Sequence, residues 1–288
     1  MNLFNIIEEI EKVDPELTDR INPRRDAIKN ITSFSSKVAV AALPFALGTM
    51  LKKAYAATPT TSVIGVLNFA LTLEYLESYF YNQGTASSGL IPASDSRYIA
   101  DITDDENHHV AFLQTVIKSL GGTPVTAPKF DLTAGNGSGH GPFADVLSNY
   151  QTFLAVAETF EDTGVRAYKG QAGNLIGNQV VLTAALSIHA VEARHASAIR
   201  YLRSLKYGAT VRPWITSTAS LGNDTGIALV NGNYAGENNV TTGGLNTTTL
   251  PGATPGSKTS VATATAAFDE PLTMAQVLAL LVGSFIVN

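Results

Sequence analysis

The chain contains two Glu-x-x-His motifs, Glu106-Asn107-His108-His109 and Glu192-Ala193-Arg194-His195. A spacing of three puts carboxylate and imidazole on one face of a helix, where both can converge on a single metal ion. Twelve glutamates and five histidines scattered over 288 residues would produce roughly 0.2 such pairs by chance, so two pairs call for an explanation. Between residues 58 and 236 the only other glutamates are Glu74, Glu77, Glu158 and Glu161, all in stretches of helical periodicity. The chain has no cysteine. Disulfides, thiolate ligands and a cysteine nucleophile are thereby excluded, and any metal is held by oxygen and imidazole nitrogen.

The apolar residues around these groups decide which way they point. Glu74 shares a helical face with Leu67, Ala70, Leu71 and Tyr81, and Glu106 with Ile99, Ile102, Val110 and Leu113. Glu161 lies in line with Leu154, Ala157, Val165 and Tyr168, and Glu192 with Ala185, Ile188, Ala196 and Ile199. Four carboxylates therefore face one core. Burying an unpaired carboxylate costs several kcal/mol or forces protonation, and two divalent metals would neutralise the four. His108 and His189 are offset from the motif register and read as structural or exposed, although His189 lies one turn before Glu192; His140 sits in a glycine-rich loop.

A repeat underlies the pattern. Glu74 precedes Tyr81 by seven residues and Glu106 by 32, while Glu161 precedes Tyr168 by seven and Glu192 by 31. Two copies of a helix hairpin related by a pseudo-twofold axis would bring the Glu-x-x-His helices face to face. The elements that must position them are helices expected over 60–82, with Gly84 as a stop, then 95–120, 143–169 and 175–206. A Gly/Pro/Thr-rich crossover over 121–142 joins the pairs. The expectation is an all-α four-helix bundle over 58–207. A loop-rich extension over 208–288 follows it, polar over 209–265, and closes in a short apolar helix over 274–286 docked on the bundle.

Residues 1–57 read as an export leader. Arg24-Arg25, the apolar run 38–51 and the small-x-small site Ala54-Tyr55-Ala56 resemble a bacterial twin-arginine signal, with cleavage after Ala56 and a periplasmic or extracellular product. The apolar runs are too short to leave a stable membrane span in the mature chain. A formal charge of -5 with no Lys/Arg cluster beyond the first 53 residues offers no footprint for nucleic acid.

Glu, Glu-x-x-His, Glu, Glu-x-x-His on four successive helices resembles the ferritin-like superfamily of di-iron carboxylate proteins over residues 60–206. The runs Leu73-Glu74-Tyr75-Leu76-Glu77-Ser78-Tyr79-Phe80-Tyr81, Phe160-Glu161-Asp162-Thr163-Gly164-Val165 and Phe268-Asp269-Glu270-Pro271-Leu272 are similar to its bacterial and plant desiccation-related branch. The resemblance implies Glu74, Glu106, His109, Glu161, Glu192 and His195 as ligands of two metal ions, iron or manganese. Rubrerythrin-like relatives add a helix-three glutamate, which here would be Glu158. Tyr81 and Tyr168 are either supports for the carboxylates or plain core aromatics. Three functions are compatible with this: Fe(II) oxidation or reduction of peroxide or oxygen in stress protection, a non-catalytic stress protein with a structural metal site, and an iron-storage cage. A homo-oligomer fits any of them.

Overall fold

The computed structural model describes residues 61–208, 211–216 and 228–288. The export leader, with Arg24-Arg25 and the Ala56 cleavage site, lies outside the described residues. Four long helices make the bundle, α1 (Thr61–Ala86), α2 (Ser96–Ser119), α3 (Tyr150–Ala172) and α4 (Gln179–Tyr207). They form two hairpins, α1 against α2 and α3 against α4. Among the described residues no helix is long and apolar enough to cross a membrane.

The element ends show where local signals were overridden. Gly84 does not stop α1, which continues to Ala86. It is buried, and a Cβ there would lie 2.3 Å from the Phe153 ring, so this glycine lets α1 lie against α3. Gly121 does close α2, taking φ +81° just past its end. Helix α3 starts seven residues later than the periodicity suggested, because Asn149 caps it by accepting from the amides of Gln151 and Thr152. Gly170, expected in a turn, is helical, and its missing Cβ admits the backbone of Leu272, whose carbonyl oxygen would lie 1.9 Å from that atom. The fourth helix, expected from residue 175, starts at Gln179 after a 3-10 turn, Gly173–Leu175, and is capped by Asn178 on the Val181 amide.

The extension holds a 3-10 turn (Ala228–Tyr234), a minimal antiparallel hairpin of β1 (Thr241–Thr242) and β2 (Leu245–Asn246), and two short helices, α5 (Val261–Ala266) and α6 (Met274–Leu281). Expected to run to 286, the last helix ends at Leu281. The chain then turns back so that the Phe285 carbonyl accepts from Asp131 at 2.8 Å and the Val287 amide donates to Lys129 O at 3.0 Å, joining the extension to the crossover loop.

One core results. Val277, Leu281, Phe285 and Ile286 pack with Phe80, Phe143, Phe153 and Phe160 of the bundle and crossover. Every residue of α3 from Phe153 to Tyr168 is therefore buried. A bundle helix normally leaves one face to solvent; here the extension covers it. Polar groups on that face are paired with the extension: Arg166 Nε lies 2.8 Å from Glu237 Oε1, Tyr234 donates to Asp162 at 2.8 Å, and Asn233 donates to Thr163 at 2.7 Å.

Candidate metal centre

All four helices deliver a carboxylate to the middle of the bundle. Glu74, Glu106, Glu161 and Glu192 are fully buried, and His109 and His195 retain only 8% and 6% exposure. The six residues form two overlapping groups, Glu74, Glu106, His109 and Glu192, and Glu106, Glu161, Glu192 and His195, each with ligand atoms within 4.8 Å of one another. Glu106 and Glu192 belong to both. His109 Nδ1 stands 3.1 Å from Glu74 Oε2 and 3.2 Å from Glu106 Oε2. His195 Nδ1 stands 2.8 Å from the other oxygen of Glu106, Oε1, and 3.3 Å from Glu161 Oε2. Glu106 thus spans the two imidazoles, whose ring centres are 6.4 Å apart.

At the His195 end this proximity is not hydrogen bonding, whereas His109 Nδ1 is hydrogen-bonded to Glu74 and Glu106. Glu106 Oε1, Glu161 Oε2, both Glu192 oxygens and His195 Nδ1 are buried and have no hydrogen-bond partner among the described residues. Orphaned buried polar atoms are rare in folded proteins because each forfeits its hydration. Five of them around one point, all oxygen or imidazole nitrogen, form a donor set suited to iron, manganese or a similar divalent ion.

Protons make up part of the charge balance in the metal-free protein. Burial raises Glu192, and the charges of Glu106 and Glu74 raise it further. Glu77 is likewise pushed well up by burial and then by Glu192, Glu106 and Glu74. Burial pushes Glu106 up to about 7. Glu74 moves the other way, because the hydrogen bond and charge of His109 outweigh its desolvation. Burial alone would discharge both imidazoles. The facing carboxylates overcome it, raising His109 through Glu106, Glu192 and Glu74 and pushing His195 up to about 12 through Glu161 and Glu106.

Tyr81 and Tyr168 support the site across the pseudo-twofold axis. Tyr81 on α1 donates to Glu161 on α3, and Tyr168 on α3 donates to Glu74 on α1. Burial raises both phenols well above their ordinary value, which keeps them as donors. Glu158, the additional ligand the resemblance implied, is not brought to the centre. It is turned to two arginines of α4, where Arg203 donates to it at 2.6 Å and Arg200 lies 3.5 Å away. His189 points its Nδ1 at the Val165 carbonyl, 3.0 Å away, and His108 and His140 are exposed.

Two further residues complete the site: Asp105, which carries no sequence signal, and Glu77, one of the helical glutamates outside the ligand set. Asp105, half exposed, lies 3.2 Å from His195 Nε2, the arrangement that fixes the tautomer and orientation of a metal-binding imidazole. The contact crosses from α2 to α4. Its pseudo-symmetric position, just before Glu192, is Val191, so His109 has no such carboxylate by the repeat. Glu77, 4% exposed, corresponds in the repeat to Gly164, where a Cβ would lie 2.6 Å from Glu192 Oε2 and 3.3 Å from Glu77 Oε1. The glycine lets the α3 backbone lie against both carboxylates. The two halves of the centre are therefore inequivalent. Asp105→Asn is expected to weaken one of two metal-binding events by roughly 10- to 100-fold and leave the other unchanged, as read by titration calorimetry; equal weakening of both would remove the argument.

A family model described as the ferritin-like domain matches the chain over residues 62–205, the four-helix segment. No curated protein matches it.

Proposed function

The chain belongs to the ferritin-like domain family, and from that premise we propose that it is a di-metal carboxylate protein that reduces dioxygen or peroxide, as an exported protein in stress protection. The observation that carries this reading is the set of orphaned buried oxygen and nitrogen donors within two overlapping ligand groups that share Glu106 and Glu192. Glu74 and His109 would hold one metal ion, Glu161 and His195 the other, and Glu106 and Glu192, which belong to both groups, would serve both. Iron or manganese bound there would supply the electrons.

The chain's own residues would supply protons and exclusion of water. Reducing peroxide to two waters takes two electrons and two protons. Glu77, kept neutral by burial and its acidic neighbours, holds a proton beside the ligand carboxylates. Tyr81 and Tyr168 hold theirs on Glu161 and Glu74, fixing those carboxylates while remaining proton and electron donors within the core. Phe80 and Phe153, both fully buried, pack beside Tyr81 and keep that side dry.

The test is a single turnover, consumption of oxygen or peroxide by protein loaded anaerobically with Fe(II) or Mn(II), whose two reducing equivalents per centre take dioxygen to peroxide or peroxide to two waters. Metal-dependent consumption of oxidant supports the reading. Full metal occupancy without consumption sinks it in favour of a structural metal site. A storage shell is disfavoured by the covering of the outer face of α3, which leaves that helix no face for packing against other subunits.

A further inference from the structure

An apolar cavity of about 20 Å³ lies between the two hairpins, about one to two water-sized spheres in capacity. Ala70, Leu113 and Ile188 line it, each one helical turn from a residue of the first ligand group: Glu74, His109 and Glu192 respectively. The cavity therefore sits directly over the His109 half of the centre, not the His195 half. Its wall also includes the Tyr168 ring and Gln171, the phenol donating to Glu74 and the amide oxygen accepting from Asn174. That leaves the Gln171 amide nitrogen as the one polar group a water could meet, short of the two to four polar partners it needs, so a space of this kind stays dry.

Small side chains create the void. Ala70, Ala167, Ala184 and Ala185 line it where larger residues would fill the space between four helices. Protein interiors are close-packed, and an unfilled space costs dispersion contacts on every wall. A dry cavity of molecular size accepts an apolar guest instead.

We infer that this cavity is a binding site for dioxygen, holding the gas one helical turn from the His109 half of the centre. This rests on the proposed oxidant chemistry for its purpose, but not for its existence. Dioxygen is uncharged, apolar and of the right size, and it partitions from water into apolar surroundings. Peroxide is polar and hydrogen-bonding, and would lose its hydration in such a space without compensation.

Crystals of the protein as purified, pressurised with krypton, test the site without requiring any reaction. A krypton peak is expected among Ala70, Leu113 and Ile188 in the parent. The peak should vanish in Ala185→Leu, which fills the space, and strengthen in Phe112→Ala, which enlarges it. No peak in either the parent or Phe112→Ala overturns the proposal, and the second variant keeps the test alive if the first fails to fold. With metal bound, Ala185→Leu is expected to slow oxygen consumption several-fold while peroxide consumption holds. Equal slowing of both overturns the delivery role. A krypton peak without consumption of either oxidant overturns that role too, and it rejects the proposed oxidant chemistry while the gas site itself stands.

Discussion

Protein carrying Glu106→Gln together with Glu192→Gln is expected to bind neither metal and, metal-free at pH 7, to melt roughly 4–8 °C above the parent. Both glutamates belong to both ligand groups, so no position keeps a complete donor set. The gain in stability comes from the same residues. At pH 7 the unfolded chain leaves these carboxyls ionised, whereas the fold pushes Glu106 up to about 7 and Glu192 well above its ordinary value, chiefly by desolvation. Glutamine keeps the volume, opens no cavity and carries no charge to desolvate. The remaining ions match one for one, His109 with Glu74 at 3.1 Å and His195 with Glu161 at 3.3 Å. The stability difference should shrink as pH falls and close below about pH 4, where the unfolded glutamates are mostly protonated too. Elemental analysis and calorimetry check both halves; retention of metal at the parent's stoichiometry would falsify the ligand assignment. Glu158→Gln provides the contrast. It should keep the metals yet lose about 3 kcal/mol, because Arg203, 5% exposed, loses its carboxylate partner.

The site was more legible in the sequence than the surroundings that complete it. Six ligand candidates could be found because helical periodicity converts residue spacing into direction. A carboxylate in an apolar stripe has to face the core, whatever lies opposite. The repeat then related the hairpins, and Tyr81 and Tyr168 fell at equivalent positions. That their hydroxyls cross to the opposite hairpin could not be read from spacing within either one. Asp105 escaped for the same reason: its partner His195 is ninety residues away, and the repeat offers only Val191 in its place.

Glu158 shows the opposite failure. The resemblance to relatives with an additional helix-three glutamate made it a ligand candidate, but α3 is buried on every side from Phe153 to Tyr168. Burial there no longer means facing the bundle axis. A carboxylate turned away from the centre is equally inaccessible and is neutralised by Arg200 and Arg203 of α4 instead. Gly84 and Gly170 misled for a related reason. Glycine breaks helices by its conformational freedom, but both positions use its missing Cβ, one for the Phe153 ring and one for the Leu272 backbone. These partners lie more than sixty residues away along the chain, in elements that sequence periodicity places poorly.

Metal removal should reverse the sign of the protein's pH dependence. In the metal-free fold Glu106 rises from 4.5 to about 7 and His195 from 6.5 to about 12, while Glu77, Glu192 and His109 shift upward as well. Each of these groups binds its proton more tightly in the fold than in the unfolded chain. Its contribution is complete below the unfolded value and is lost as pH rises through the folded one. Glu74 alone among the shifted ligands moves down, and its effect is lost only as pH falls below the ordinary carboxylate range. Between pH 5 and 9 the fold therefore holds more protons than the unfolded chain, and the melting temperature should fall by more than about 10 °C across that range. Loading the centre with metal inverts the balance. Ions compete with protons for the same oxygens and for Nδ1 of both histidines, so affinity, and with it the linked stabilisation, grows as pH rises. Metal addition in weak buffer at pH 6 should release protons, and the metal-loaded melting temperature should climb where the metal-free one drops. Parallel pH profiles for the two forms would mean that the metal is bound somewhere other than among these carboxylates and imidazoles.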